Sequence, residues 1–184
     1  MIDGPDPEPR LAAYAELIRR WAPRLDLIAP GDLDRLEERH LDDSLKALKL
    51  VREVPPGPAV DVGSGAGFPG VPLAIAAPER RWRLLEPRAK RAGFLDQVVR
   101  ELDLNAEVVR MTAQQAASDP ALAGAHVIAT ARALADPATA FDLLAPLLGP
   151  GGSSLVWVGE RARIPSGAEE LVPGLAIMRR DPIS

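Results

Sequence analysis

The stretch Ala59-Val60-Asp61-Val62-Gly63-Ser64-Gly65-Ala66-Gly67-Phe68-Pro69-Gly70 decides the fold. A short apolar run that carries an acid and passes straight into alternating glycines is the pattern of the first β-to-α turn in a nucleotide-binding α/β sheet. The glycine spacing narrows the ligand. A dinucleotide fingerprint has its third glycine three residues after the second, on the helix N-terminus that receives a pyrophosphate. Phe68 stands there instead and Gly67 arrives one residue early, which argues against an NAD-dependent oxidoreductase. Alternate glycines let the backbone approach a ligand closely and allow positive φ. That suits the amino-acid and ribose parts of a phosphate-free ligand such as S-adenosylmethionine, with Asp61 expected near its α-ammonium group. One βαβ unit later, Arg83-Leu84-Leu85-Glu86 ends in a second acid. A carboxylate there can accept hydrogen bonds from both ribose hydroxyls. A glycine turn that merely packs a helix on a strand would share the first feature without the second.

Working outward, apolar runs and helical patterns alternate as βαβ units should. Strands are expected over 59–62, 82–86, 106–110, 127–130 and 154–158, with helices over 70–76, 90–102, 113–117 and 138–148 between them. A last strand over 175–178 is expected to be antiparallel, because the Gly- and Pro-rich connector from Ile164 to Gly174 is short for a helical crossover. Upstream, Leu11, Tyr14, Leu17, Ile18 and Trp21 recur at helical spacing, and Pro23 is expected to stop that helix. Pro30-Gly31-Asp32 reads as a turn, followed by a second helix over 33–52. The expectation is one compact α/β domain with a mostly parallel Rossmann-like sheet. Residues 1–58 form a short N-terminal helical preface and residues 59–184 form the cofactor-binding core.

The chain has 184 residues, 47% hydrophobic and 26% charged, a globular composition. It contains no cysteine, which excludes disulfides, thiolate metal sites and a cysteine nucleophile. Residues 1–10 are acidic and proline-rich, neither a signal peptide nor a membrane span, and are expected to be disordered. A cytoplasmic location follows as the expectation. The net charge of −4 means that a nucleic-acid ligand would need a local basic face. Arg80, Arg81, Arg83, Arg88, Lys90, Arg91 and Arg100 make the densest one, which would serve equally as a solvated helix face. Trp82 and Trp157 are expected in the core rather than as base-stacking platforms.

Asp61 to Gly70 with Val71-Pro72-Leu73-Ala74-Ile75, then Leu84-Leu85-Glu86, Lys90-Arg91 and Phe94-Leu95, resembles a known family. With Trp21 and Arg39-His40-Leu41-Asp42-Asp43-Ser44-Leu45 upstream, the pattern is that of RsmG (glucose-inhibited division protein B), the bacterial small-subunit ribosomal RNA guanine-N7 methyltransferases. The likeness runs in order from Leu17 to Arg163. It implies a class I methyltransferase fold, S-adenosylmethionine as cofactor, and ribosomal RNA or the small ribosomal subunit as partner, with no metal, no membrane and a monomeric state. The resemblance assigns the cofactor to Asp61, Gly63, Ser64, Gly65, Gly67, Phe68 and Glu86, with Thr112, Ala113 and Gln114 beside the adenine. Arg132, after the fourth strand, would hold a phosphate or the guanine O6. His40, Asp43 and Ser44 share one helix and would shape the mouth of the active site. Lys90 and Arg91, with Arg132, would meet the RNA. Guanine N7 already presents a lone pair, so such an enzyme needs placement rather than a general base.

Three departures stand out. Thr112 and Gln114 occupy positions where the family carries an arginine and a glutamate, Val158 precedes Gly159 where it carries a lysine, and the tail after Arg163 is short. Arg161 lies close enough in sequence to replace that lysine. These losses touch substrate more than cofactor. They leave open a small-molecule methyltransferase on the same scaffold, a relative acting on another RNA, and a relative that binds cofactor without catalysis.

Overall fold

The computed structural model describes residues 6–181. Helix α1 spans Glu8–Leu25 and buries Leu11, Tyr14, Leu17 and Ile18. Of the start expected to be disordered, residues 1–5 lie outside the described residues and Glu8 to Arg10 are helical. Pro23 does not stop the helix. A proline removes one hydrogen-bond donor, yet buried Ala22 keeps the last turn closed, and Asp26 caps it in left-handed geometry with its N–H donated to the Ala22 carbonyl. The second helix is also corrected. The segment breaks into a 3-10 turn (Pro30–Arg35), a π-helical turn (Glu37–Asp42), the short α2 (Asp43–Leu45) and α3 (Leu48–Glu53).

The core follows as β1 (Ala59–Val62), α4 (Gly70–Ala76), β2 (Trp82–Leu85), α5 (Ala89–Glu101), β3 (Ala106–Val109) and α6 (Ala113–Ala117). It continues with β4 (His126–Arg132), α7 (Pro137–Leu144), β5 (Leu148–Trp157), β6 (Glu169–Val172) and β7 (Leu175–Arg179). The sheet order is β3-β2-β1-β4-β5-β7-β6, with β1 to β5 parallel and β7 antiparallel to β5 as expected. Strand β6 was not expected. It pairs with β7 as an edge hairpin, and its exposed Glu169-Glu170-Leu171-Val172 lacks the apolar alternation that marks a half-buried strand.

Strand β5 begins earlier than expected. His126 pairs with Leu148 and Ile128 with Ser153, so Gly149-Pro150-Gly151-Gly152 swings out inside the strand rather than closing the preceding helix. Both faces of the sheet are covered, which is why its central strands read as apolar runs. Val60, Val62, Ala129, Ala131 and Val156 pack against α6 and α7, while Leu84 meets α1 and α5 on the other face. Trp82 and Trp157 are core residues, as expected. The strand order reverses between β1 and β4, where α/β sheets open a crevice at their carboxyl ends. No helix among the described residues is long and apolar enough to cross a membrane.

Candidate active site

Three cavities meet at the carboxyl ends of the strands. The first, of about 390 Å³, is lined by Gly63, Glu86, Arg88, Arg91, Thr112, Ala113 and Gln114, among others. The second, about 220 Å³, lies over the glycine turn between His40, Phe68 and Arg132. The third, about 610 Å³, runs along the ends of β4 and β5 past Asp43, Lys46, Arg132, Trp157 and Val158. Ala133 touches all three. It carries φ of 52°, a strained geometry for a side chain and one that concentrates at functional sites.

The glycine turn is built by hydrogen bonds to the end of β2. Gly63 and Ser64 donate to the Leu85 carbonyl at 2.9 Å, and Gly65 donates to Glu86 Oε2 at 2.9 Å. Arg88 N–H fills Glu86 Oε1 at 2.8 Å. Glu86 is thereby fixed at the cavity wall, with lone pairs left over for hydroxyl donors. Gly63 and Gly65 have φ of 72° and 58°. Gly67 serves packing instead, because a Cβ there would lie 2.6 Å from the Tyr14 hydroxyl and 2.7 Å from Val71. Gly67 lines none of the three cavities.

Asp61 is fully buried and lines none of the three cavities. Its Oδ1 accepts from the Thr130 hydroxyl at 2.7 Å, whereas Oδ2 has no hydrogen-bond partner. Burial drives its pKa up to about 6, against the pull of Thr130, Ser64 and the Gly70 N–H. A Cβ on Gly70, the first residue of α4, would sit 2.7 Å from Oδ2.

The π-helical turn carries His40 against Phe68, with ring centroids 4.9 Å apart and nearly stacked. Arg132 reaches in from the end of β4. Its Nη2 donates to His40 Nδ1 at 2.5 Å and to the Arg39 carbonyl at 3.1 Å, and Nη1 lies 3.4 Å from Asp43 Oδ2. A guanidinium only donates, so His40 Nδ1 is unprotonated and its proton is on Nε2, 3.4 Å from Asp32. Burial and the Arg132 charge lower the His40 pKa, and the imidazole is neutral at physiological pH. Asp43 bridges Arg132 and Lys46, whose Nζ lies 2.8 Å from its Oδ1, and the Asp43 carbonyl accepts from Trp157 Nε1 at 2.8 Å.

Ser44 does not reach the mouth. It is fully buried, and its hydroxyl bonds back to the His40 carbonyl at 2.5 Å, as serines inside helices do. Thr112 lines the first cavity, with its hydroxyl committed to capping α6 through Gln115. Ala113 and Gln114 line the same wall. Lys90 is exposed and lines none of these three cavities, while Arg91 lines two of them. The expected basic face is partly consumed. Arg80 is buried on four carbonyls, and Arg81 and Arg83 both pair with Glu107.

Sequence reasoning missed Tyr14, Asp32, Lys46 and Ala133 as site residues. Only Tyr14 carried a signal, since a tyrosine on a buried helix face needs a partner for its hydroxyl. That partner is the Ala66 carbonyl, at 2.7 Å.

Among solved structures, a protein of Corynebacterium glutamicum matches over 94% of this chain and 91% of its own, with a TM-score of 0.63 at 14% identity. The cofactor-bound Rv0187 protein from MTB matches over 86% of this chain and 68% of its own, with a TM-score of 0.57 at 20% identity. Both show the fold. In sequence, the ribosomal RNA small subunit methyltransferase G of Acidiphilium cryptum is 43% identical over 156 residues, covering 83% of this chain and 68% of that relative. The profile of the GidB family, rRNA small subunit methyltransferase G, matches residues 8–170. With an open polar crevice at the sheet's switch point and a match of that extent, this chain belongs to the rRNA small subunit methyltransferase G family.

Proposed function

We propose that the protein transfers a methyl group from S-adenosylmethionine to N7 of a guanine in small-subunit ribosomal RNA. The observation that carries this reading is the wall around Arg132, which lines the second and third cavities, where neither His40 nor Asp43 is free to act as a general base. His40 Nδ1 is occupied by Arg132, and Asp43 is held between two cations. An exocyclic amine or a hydroxyl would need a proton taken away, whereas N7 attacks with the lone pair it already has.

The donor set fits S-adenosylmethionine. The first cavity offers a carboxylate for ribose hydroxyls at Glu86 and the apolar Met111, Ala113 and Leu134 for a purine, with the two positive-φ glycines beside it for the amino-acid tail. When bound, the cofactor supplies a sulfonium methyl group open to in-line displacement. The chain supplies alignment. Arg132 and the neutral His40, stacked on Phe68, make a fixed polar wall at the junction, and the guanidinium fork matches a guanine O6 or a phosphate. The third cavity, with Lys46, Asp43 and Glu160 on its rim, is an open charged cleft, which favours RNA over a small apolar acceptor.

The test is transfer of labelled methyl from S-adenosylmethionine to small ribosomal subunits from cells lacking this gene, followed by chemical cleavage at N7-methylguanine. Label at a single cleavable guanine is expected. Label on an exocyclic amine, or on a small molecule instead of RNA, would overturn the reading.

A further inference from the structure

We infer that Arg91 is the anchor for the carboxylate of the bound cofactor rather than a contact for RNA, an inference that rests on S-adenosylmethionine being the ligand of this site.

Arg91 stands in the first turn of α5, and its side chain lies across the glycine turn. A Cβ on Gly65 would be 3.8 Å from its Nη1. It lines both the cavity at Glu86 and the smaller one over the turn, so it sits on the boundary that a ligand spanning the two must cross. One bond aims it: Nη2 donates to the Asp26 carbonyl at 2.7 Å. Asp26 is the left-handed cap of α1, and that conformation is what presents its carbonyl.

Ion pairs already occupy many of the chain's arginines. Arg19, Arg35, Arg39, Arg81, Arg83, Arg132 and Arg179 each pair with a carboxylate. Arg91 makes no ion pair among the described residues, in a chain whose net charge is −4. A half-buried guanidinium with five donors, one of them used, is matched by an anion that comes with the ligand. S-adenosylmethionine carries one anionic group, its carboxylate. The two sides of Gly65 carry opposite charge: Glu86 accepts its N–H and faces hydroxyl donors, and Arg91 faces an acceptor. Arg132 and Arg88 are the other cations on these walls: Asp43 and His40 already hold Arg132, and Arg88 is exposed and lines only the first cavity, not the one over the turn.

Calorimetry on the full chain tests this with two ligands that differ only in the carboxylate, S-adenosylmethionine and its decarboxylated form. The unmodified chain is expected to prefer the carboxylate-bearing ligand by roughly ten- to a hundred-fold, the worth of one charge-assisted contact. Arg91→Ala should erase that preference by weakening only the carboxylate ligand, and Arg91→Lys should restore part of it. Small-subunit binding by Arg91→Ala should keep its affinity and its salt dependence. Equal loss for both ligands would mean that Arg91 only supports the turn, and an intact preference would place the anchor elsewhere. A salt dependence lowered by about one counterion with cofactor affinity intact would return Arg91 to the RNA. The ligand pair on the unmodified chain needs no substitution, so a variant that fails to fold leaves the test standing. If that chain bound neither ligand, the cofactor reading itself would fall, and the Arg91 assignment with it.

Discussion

Asp61 shows how a single residue can hold a site together at a cost in stability. Its carboxyl is buried and half-unpartnered, and its pKa is raised from 3.8 to about 6. The folded chain thus binds that proton more tightly than the unfolded one. The stability this gives is fully present below pH 3.8 and is lost as pH rises through about 6. At neutral pH the charged carboxylate costs on the order of 3 kcal/mol. Asp61→Asn keeps an acceptor for Thr130 and removes the charge, so urea unfolding should find it about 1–3 kcal/mol more stable than the unmodified chain at neutral pH. The gap should close as pH falls toward the unfolded value. A gap that ignored pH would show that the buried charge is not its source. At this scale the sequence spoke clearly where a residue's direction follows from its own strand. Glu86 could be placed because a strand-end acid beside a glycine turn has one crevice to face. Ser44 and Gly67 could not, since the first turns back into its own helix and the second is pressed by a tyrosine 53 positions upstream.

Elements were legible where apolar period and punctuation agree. Helices α4 and α6 and strand β1 lie where glycine, proline and alternation put them. The segment after Asp32 has an equally helical period, yet it folds as 3-10, π and α pieces, because His40 must reach Phe68 and Arg132 rather than continue an ideal helical face. Arg80 is the clearest case of an element held from afar. Placed by the turn before β2, its guanidinium donates to the carbonyls of Val51, Val54, Pro55 and Gly57, which the end of α3 and the following loop leave without partners. Arg80→Ala should lower unfolding free energy by about 3 kcal/mol, and Arg80→Lys should recover only part, since a lysine cannot present two forks of donors at fixed spacing. Denaturant midpoints decide this. A loss under roughly 1 kcal/mol would mean that water satisfies those carbonyls equally well.

Across the whole molecule, the helical preface is packed into the glycine turn of the candidate site. Helix α1 sends Tyr14 into the glycine turn, where its hydroxyl donates to the Ala66 carbonyl and its ring lies 5.4 Å from Phe68. Tyr14→Phe should cost about 1–2 kcal/mol in stability and weaken S-adenosylmethionine binding a few-fold, because the freed carbonyl is buried and the turn loosens. Calorimetry beside thermal unfolding measures both, and unchanged affinity would uncouple the preface from the turn. The sequence by itself determined the parallel sheet, its glycine turn and the acids at its strand ends. These depend on local period and on residues whose conformational demands are intrinsic: glycine, proline and β-sheet-forming apolar runs. Only the tertiary structure decided which cations face the crevice, that Asp61 is sealed beneath it, and that β6 closes the sheet edge. Charge pairing and burial depend on partners far apart in the chain. Arg80 to Arg91 form one basic cluster in the sequence, but in the folded chain they divide among four carbonyls, Glu107, solvent and the glycine turn.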